Sequence, residues 1–329
     1  MSGDRILPRA TLRLQLHAGF TLDDAVVQVD YFARLGISHL YLSPVGTAVP
    51  GSTHGYDNTD PTRVNPELGG EPALLRLSAA ARERGMGLLL DIVPNHMATH
   101  ATNAWWIDLL RRGRRSRHAG WFDVDWHAPG ADGRVLLPVL DRPLQAALAE
   151  GLLQLEQQGD GWHVRHHDQA WPLAPGTVTA PAGARAKAWL ERTNAAARRD
   201  GGELAAILER QAYRLLWWRA GNDRINYRRF FDITSLAALR CELPEVFDAV
   251  HALPLRLLAE GVIDGVRVDH VDGLTNPTGY VQALRAALDR AGARRGLAPG
   301  EALLYVEKIL APGEQLPASW PCQGTTGYD

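Results

Sequence analysis

The sequence predicts an α/β fold built on a parallel sheet, and three observations predict it. Short apolar runs alternate with stretches of helical periodicity from residue 10 to residue 93. Two later apolar runs, one through Gly261-Val262-Ile263 to Val268 and one over Leu303-Leu304-Tyr305-Val306, end in acids, Asp269 and Glu307. Between these regions, from His100 to about Asp200, the alternation disappears. Trp105, Trp106, Trp121, Trp126, Trp162 and Trp171 fall there among Pro, Gly and charged residues, the profile of an inserted helical or irregular subdomain. The expected layout is 1–98 as the first part of the sheet domain, 99–204 as the insertion and 205–329 as the continuation.

Ala10 to Leu16 alternates as a strand, with Leu12, Leu14 and Leu16 on one face. Asp23 to Leu35 places Val26, Val29, Tyr31, Phe32 and Leu35 at helical spacing, and Gly36 stops the helix. Ile37 to Leu42 is the second strand. The loop Gly51-Ser52-Thr53-His54-Gly55-Tyr56-Asp57, continued by Asp60-Pro61 and Leu68-Gly69-Gly70, holds an aromatic and several hydrogen-bonding groups outside the regular elements. A tyrosine face can stack on a sugar while neighbours such as His54 and Asp57 take its hydroxyls. The same loop also reads as a plain surface connection held by Gly and Pro turns. Glu71 to Arg84 is the second helix, and Gly87 to Val93 the third strand, ending in Asp91-Ile92-Val93-Pro94-Asn95-His96. Polar groups thus stand at a strand's C-terminal end, although His96 alone reads as a structural histidine. Pro181 to Arg198 reads as linker plus helix, and Gly202 to Arg219 as a helix ending in Trp217-Trp218. Asn226 to Asp232, with Tyr227 and Arg229, is either core packing with a salt bridge or a wall of a sugar site. Helices continue to about Glu260, Pro277 to Arg290 is another, and Glu307 ends a fifth strand.

With 329 residues, 46% hydrophobic and 22% charged, the chain can bury a sizeable core. A formal net charge of −2 argues against a dedicated nucleic-acid binder. Arg111 to Arg117 holds five arginines in seven residues and reads as a solvated or acid-paired turn. His163, His166, His167 and Asp168 read as structural, because no second ligand cluster accompanies them. Cys241 and Cys322 are too few and too far apart for a disulfide framework or thiolate metal site. Met1 to Arg5 lacks the apolar core of a signal peptide and no apolar run is long enough to span a membrane, so a cytoplasmic protein without a membrane partner is expected. Oligomeric state leaves no mark in the sequence.

Arg267 and Asp269 are two apart on one strand and point the same way, so the guanidinium is expected to lower the carboxyl pKa and hold it ionised. With Glu307 at the end of another strand, the pattern suits the nucleophile and acid that cleave a glycosidic bond. A buried Arg–Asp ion pair plus a surface glutamate fits it as well.

Taken together, these residues resemble the α-amylase superfamily of retaining glycoside-active enzymes. Asp91 to His96 is similar to its first conserved block, Gly265-Val266-Arg267-Val268-Asp269 to the second, and Glu307 to the third. In the usual second block a Lys-His pair follows the Asp by three and four residues. Here Asp272 and Gly273 stand in those places and His270 directly follows Asp269. These departures resemble the maltooligosyl trehalose synthase family within that superfamily. So do Pro8 to Leu16, Gly51 to Asp57, Asn226 to Asp232, Glu307-Lys308-Ile309-Leu310 and Gly324 to Asp329. The resemblance implies a (β/α)8 TIM barrel, incomplete here with about five strands. It implies Asp269 as nucleophile, Glu307 as general acid/base and Arg267 holding Asp269. Tyr56, Asp91, Asn95 and His96 would shape the subsite of the attacked sugar, and His270 and Asp272 would hold the acceptor glucose between walls from the Tyr227 and Arg229 stretch. The implied reaction moves the reducing-end linkage of maltooligosaccharides from α-1,4 to α,α-1,1 in trehalose biosynthesis, with no redox cofactor or metal. A third carboxylate is expected beyond Asp329, so the chain reads as the N-terminal portion of a longer enzyme and as inactive alone. A hydrolase of the same superfamily and a non-catalytic glucan-binding fragment are the alternatives.

Overall fold

The computed structural model describes residues 6–159, 161–181 and 185–326. Met1 to Arg5, three residues of the Pro181 to Arg198 stretch, and Gly327, Tyr328 and Asp329 of the terminal motif lie outside the described residues. Packing divides the chain into two compact units, residues 1–98 with 239–329, and residues 99–238. The sequence put the second boundary at 204/205, whereas the packing boundary falls at 238/239.

The first unit opens with β1 (Thr11–Leu14) and α1 (Leu22–Arg34). A capping box fixes the start of α1, where Thr21 and Asp24 exchange side-chain-to-backbone hydrogen bonds. The helix buries Leu22, Ala25, Val29 and Phe32, one face at a spacing of three and four. After β2 (His39–Leu42), β3 (Gly46–Ala48) and β4 (Asn58–Val64) form an antiparallel hairpin. Asp60 and Pro61, expected in a loop, therefore lie in a strand. α2 (Gly70–Glu83) is tied to α1 by an Arg76–Asp23 ion pair of 2.8 Å. β5 (Gly87–Ile92) is buried along its whole length, as a parallel strand covered on both faces must be. The short β6 (His96–Ala98) ends this part.

The second unit runs through α3 (Ala104–Arg112), β7 (Val135–Leu140), α4 (Leu144–Ala149), β8 (Leu153–Gln158), β9 (Gly161–His166) and β10 (Gln169–Pro172). It continues with α5 (Arg185–Asp200), α6 (Gly202–Glu209), β11 (Tyr213–Trp217), α7 (Gly221–Arg224), β12 (Arg229–Phe230) and β13 (Ile233–Ala238). β8, β9 and β10 make an antiparallel sheet, β7 and β11 a parallel pair. Three expectations are corrected here. The segment is as much sheet as helix, the helix expected over Gly202 to Arg219 stops at Glu209, and Ile233–Ala238 is a strand where helices were expected. Tyr213–Trp217 is a short run, apolar but for Arg214, and over such a length a buried strand and a helix segment have no distinguishing period. Trp106, fully buried, meets Phe122 and Tyr227 edge-on at 5.1 and 5.4 Å between ring centres.

The first unit resumes with α8 (Pro244–Ala259), β14 (Gly265–Val268), α9 (Pro277–Ala293), β15 (Leu303–Val306) and β16 (Gly324–Thr325). Its main sheet is all parallel, in the order β1-β2-β5-β14-β15-β16, the arrangement of an incomplete TIM barrel. That is six strands, one more than expected; β16 has two residues, too few for periodicity to register. The register places Tyr41, Leu89 and Leu303 in one row, where they form a buried cluster with Tyr305 against it. The next row towards the strands' C-terminal ends, on the same face, holds Asp91, Arg267 and Tyr305.

Candidate active site

Asp269 and Glu307 stand one row further on, each two residues past its row-mate, Arg267 and Tyr305. The Glu307 amide donates to the Val268 carbonyl at 2.8 Å, which continues the β14–β15 register past the strand ends. The two acids are thus side by side on adjacent strands, whose spacing in any sheet is about 4.8 Å. One guanidinium faces three carboxylates. Arg267 Nη1 lies 2.8 Å from Asp91 Oδ1 and 2.9 Å from Asp269 Oδ1, and Nη2 lies 3.4 Å from Glu307 Oε1. Its Nε donates to Thr326 Oγ1 at 3.1 Å. Arg267, Asp91 and Asp269 are buried, whereas the Glu307 side chain is 25% exposed.

Burial opposes the Arg267 charge, but Asp91, Tyr41, Asp269 and Glu307 outweigh it and keep the guanidinium protonated. Burial, then the charges of Asp91 and Glu307, push the Asp269 carboxyl above its ordinary range, with Arg267 working the other way. This corrects the expectation that Arg267 would lower it: a single cation shared by three acids does not offset their burial and mutual repulsion. Burial also pushes Asp91 up, opposed by Arg267 and by the hydroxyls of Tyr56 and Tyr41, which donate to its Oδ2 at 2.5 and 2.8 Å.

The loop between β3 and β4 brings Tyr56 to this centre. Gly55 makes the approach possible, with φ +79° and a position where a Cβ would stand 2.5 Å from the Pro44 carbonyl oxygen. Arg13 Nη2 donates to the Tyr56 hydroxyl at 2.9 Å. His96 Nε2 reaches the Tyr56 carbonyl at 3.1 Å, so that nitrogen carries the proton, and Nδ1 accepts from the Asn95 amide at 3.3 Å. His54 stacks on Tyr56 and Asp57 accepts from Ser52 Oγ at 2.5 Å. Past β14, His270 adopts φ +48° and its amide donates to Glu307 Oε2 at 2.8 Å. Gly273 leaves room for the His270 ring, since a Cβ there would come within 2.1 Å of Cδ2. Lys308 Nζ, directly after Glu307, binds the half-exposed Asp272 at 3.1 Å and Glu314 at 2.9 Å.

The family model "Alpha amylase, catalytic domain" matches residues 20–172. A putative maltooligosyl trehalose synthase of Mycobacterium tuberculosis is 46% identical over 97% of this chain. A solved maltooligosyltrehalose synthase from Arthrobacter ramosus superposes with a TM-score of 0.80 at 40% identity, covering 98% of this chain and 37% of that one. The hypothetical maltooligosyl trehalose synthase of Sulfolobus tokodaii gives a TM-score of 0.78 at 33% identity, covering 98% and 38%. These likenesses set the chain beside the α-amylase superfamily. The chain spans 37% of the length of the curated relative it matches.

The first unit brings Asp91, Arg267, Asp269, Glu307, Tyr56, His96 and His270 together, with Asn95, His54, Asp57 and Asp272 bonded to or beside them. Tyr227 and Arg229 lie in the second unit. Tyr227 is buried with its hydroxyl on the Thr234 carbonyl at 3.0 Å, and Arg229 binds the Asp232 carbonyl and Thr234 Oγ1 at 2.9 and 3.0 Å. Tyr41, Arg13, Thr326 and Lys308 also bond to these groups, and the sequence had assigned none of them to the site, Lys308 having entered only as part of the run Glu307 to Leu310. Tyr41 stands on β2, the direct neighbour of the β5 strand that carries Asp91, and its only signal was one hydroxyl inside an apolar strand; Arg13 and Thr326 lay within family-like stretches but had no mark of their own.

Proposed function

We propose that the chain supplies the nucleophile and the acid of an intramolecular transglucosylase in trehalose biosynthesis. It would act in the cytoplasm, converting the reducing-end α-1,4 linkage of maltooligosaccharides into an α,α-1,1 linkage. The observation that carries this reading is the grip of Arg267 on Asp91, Asp269 and Glu307 at adjacent strand ends. The 46% identity to a putative maltooligosyl trehalose synthase narrows the reaction.

Glu307, the more exposed acid, protonates the oxygen of the scissile bond while Asp269 attacks the anomeric carbon, so one C–O bond breaks as another forms. The freed glucose turns in place. Glu307 then takes the proton from its anomeric hydroxyl as that oxygen displaces Asp269. Two inversions retain the α configuration. Retaining enzymes hold these carboxyls about 5–5.5 Å apart, which neighbouring places on adjacent parallel strands suit. Tyr56 offers a stacking face, with His54 and Asp57 beside it for hydroxyls, while the buried Asn95 and His96 hold its backbone in place. His270 and Asp272 flank the acceptor position, whereas Tyr227 and Arg229 are bonded within the second unit and are left out of the site. Residues 99–238 are assigned as the subdomain inserted into the barrel. A held acceptor at an effective concentration of roughly 10⁵ M outcompetes water.

The test is product analysis of the complete gene product on maltopentaose. Reducing ends should fall without release of glucose, and Asp269→Asn should end turnover while oligosaccharide binding persists. A rise in reducing ends would assign hydrolysis instead, and near-normal turnover in Asp269→Asn would remove Asp269 as nucleophile.

A further inference from the structure

The second unit gathers a set of metal-ligating side chains. Asp141 is the first residue after β7, His166 the last of β9, and His167 begins the turn into β10. His166 is pinned in the sheet opposite Leu153 and Gln169. Consecutive residues of a strand point to opposite faces, so His166 and His167 would ordinarily diverge. His167 instead adopts φ +55°, the left-handed conformation, and the two rings come to 4.2 Å between centres. Both turn onto one carboxylate. His166 Nε2 lies 3.1 Å from Asp141 Oδ1, and His167 Nε2 lies 3.5 Å from Asp141 Oδ2. One ligand atom from each residue lies within 4.8 Å of the others. The Asp141 backbone is held as well, its carbonyl accepting from Trp217 Nε1 at 3.0 Å.

Ligand atoms placed tetrahedrally at zinc's bond lengths stand about 3.3 Å from one another, and the two measured His–Asp separations bracket that value. Two imidazoles and a carboxylate, with no thiolate, suit a borderline ion of the zinc, cobalt or nickel class. One histidine is buried and fixed while the other two ligands are reachable from solvent, so the ion has an entry path. Arg142 competes for the carboxylate, with Nε 3.1 Å from Oδ1 and Nη2 2.8 Å from Oδ2.

We propose that Asp141, His166 and His167 form a binding site for a divalent transition-metal ion of the zinc class, with water in the fourth position. The ion would brace the end of β7 against the β9–β10 turn inside the second unit, away from any part in glycosyl transfer.

The test uses the full chain after chelator treatment, titrated with Co²⁺ alone while the visible absorption of tetrahedral cobalt is followed, and then with Zn²⁺ to displace it. The expected result is one equivalent per chain. His167→Ala, at an exposed turn position, should weaken binding at least about tenfold, with an unchanged near-ultraviolet dichroism spectrum. Arg142→Gln, which keeps all three ligands and removes the competing cation, should tighten it. No saturable cobalt signal in the wild-type chain would mean that the histidines merely hydrogen-bond to Asp141, and overturns the site. Equal affinity in His167→Ala, or weaker binding in Arg142→Gln, overturns it too.

Discussion

In the proposed reaction Asp269 must be ionised to attack, and its neighbours set that ionisation. Burial and the charges of Asp91 and Glu307 push its carboxyl up, and Arg267 pulls it down. Removing one upward push has a defined sign. In Glu307→Gln the pH at which Asp269 ionises should fall, so with α-maltosyl fluoride, a donor that needs no protonation, the ascending limb of glycosylation against pH should move to lower pH. A limb that stays in place would show that Glu307 does not act on Asp269 through its charge. Asp272 lends itself to a second substitution, being half exposed and steered by Lys308 from the residue next to Glu307. In the complete gene product, Asp272→Ala should raise the ratio of free glucose to trehalose-capped product from maltopentaose more than it lowers total cleavage. An unchanged ratio with a reduced rate would exclude it from the acceptor position. The acids were legible in the sequence because strands of period two presented them past apolar runs. The balance of charges was not, because Asp91 meets Arg267 only through the pairing of β5 with β14, 176 positions apart in the chain. The Asp141 cluster was hidden for a related reason: its carboxylate is 25 positions from His166, and the convergence of the two rings depends on a left-handed backbone at His167.

At the scale of elements, α8 and α9 are joined by a buried imidazole. His251 Nδ1 donates to the Phe247 carbonyl at 2.7 Å and Nε2 meets the Tyr280 hydroxyl at 2.7 Å, with the Phe247 ring stacked on it. Burial drives its pKa down to about 4 from an ordinary 6.5. The folded form therefore keeps the ring neutral where the unfolded chain takes up a proton. Its contribution is fully present above about pH 6.5 and is lost as pH falls towards about 4, in total roughly 3 kcal/mol. Denaturant unfolding of wild type and His251→Leu across that window should show stability falling more steeply on acidification in the wild type. Parallel profiles would place the acid sensitivity on other histidines. These two helices were expected from sequence because apolar residues recur at helical spacing over more than three turns. β11 and β16 were not, since a strand of five residues and a strand of two have no period to read.

At the scale of the whole chain, the start of the second unit was visible at residue 98 as a loss of alternation, but its end was not. β11 to β13 restore ordinary strand and helix composition before the packing boundary at 238 is reached. Within that unit the chain enters and leaves at neighbouring points, the Thr99 amide donating to the Ser235 carbonyl at 2.8 Å. Within the first unit the flanking residues also meet, the Leu239 amide donating to the Asn95 carbonyl at 2.8 Å. Adjacent ends are what an autonomous folding unit requires if it is to be cut out or inserted without strain. The second unit also has its own buried residues, among them Trp106, Phe122, Leu136, Tyr213 and Tyr227, and a segment of about 140 residues is long enough to bury most of its apolar surface. Residues 99–238 expressed alone should therefore fold and unfold cooperatively in denaturant. Nine of the chain's ten tryptophans lie in this segment, Trp320 being the exception, so the tryptophan fluorescence of residues 1–329 should report the same transition. The two fluorescence midpoints are expected to coincide. A broad, non-cooperative transition in the excised segment, without a near-ultraviolet dichroism signal, would show that its aromatic core forms only with the first unit in place.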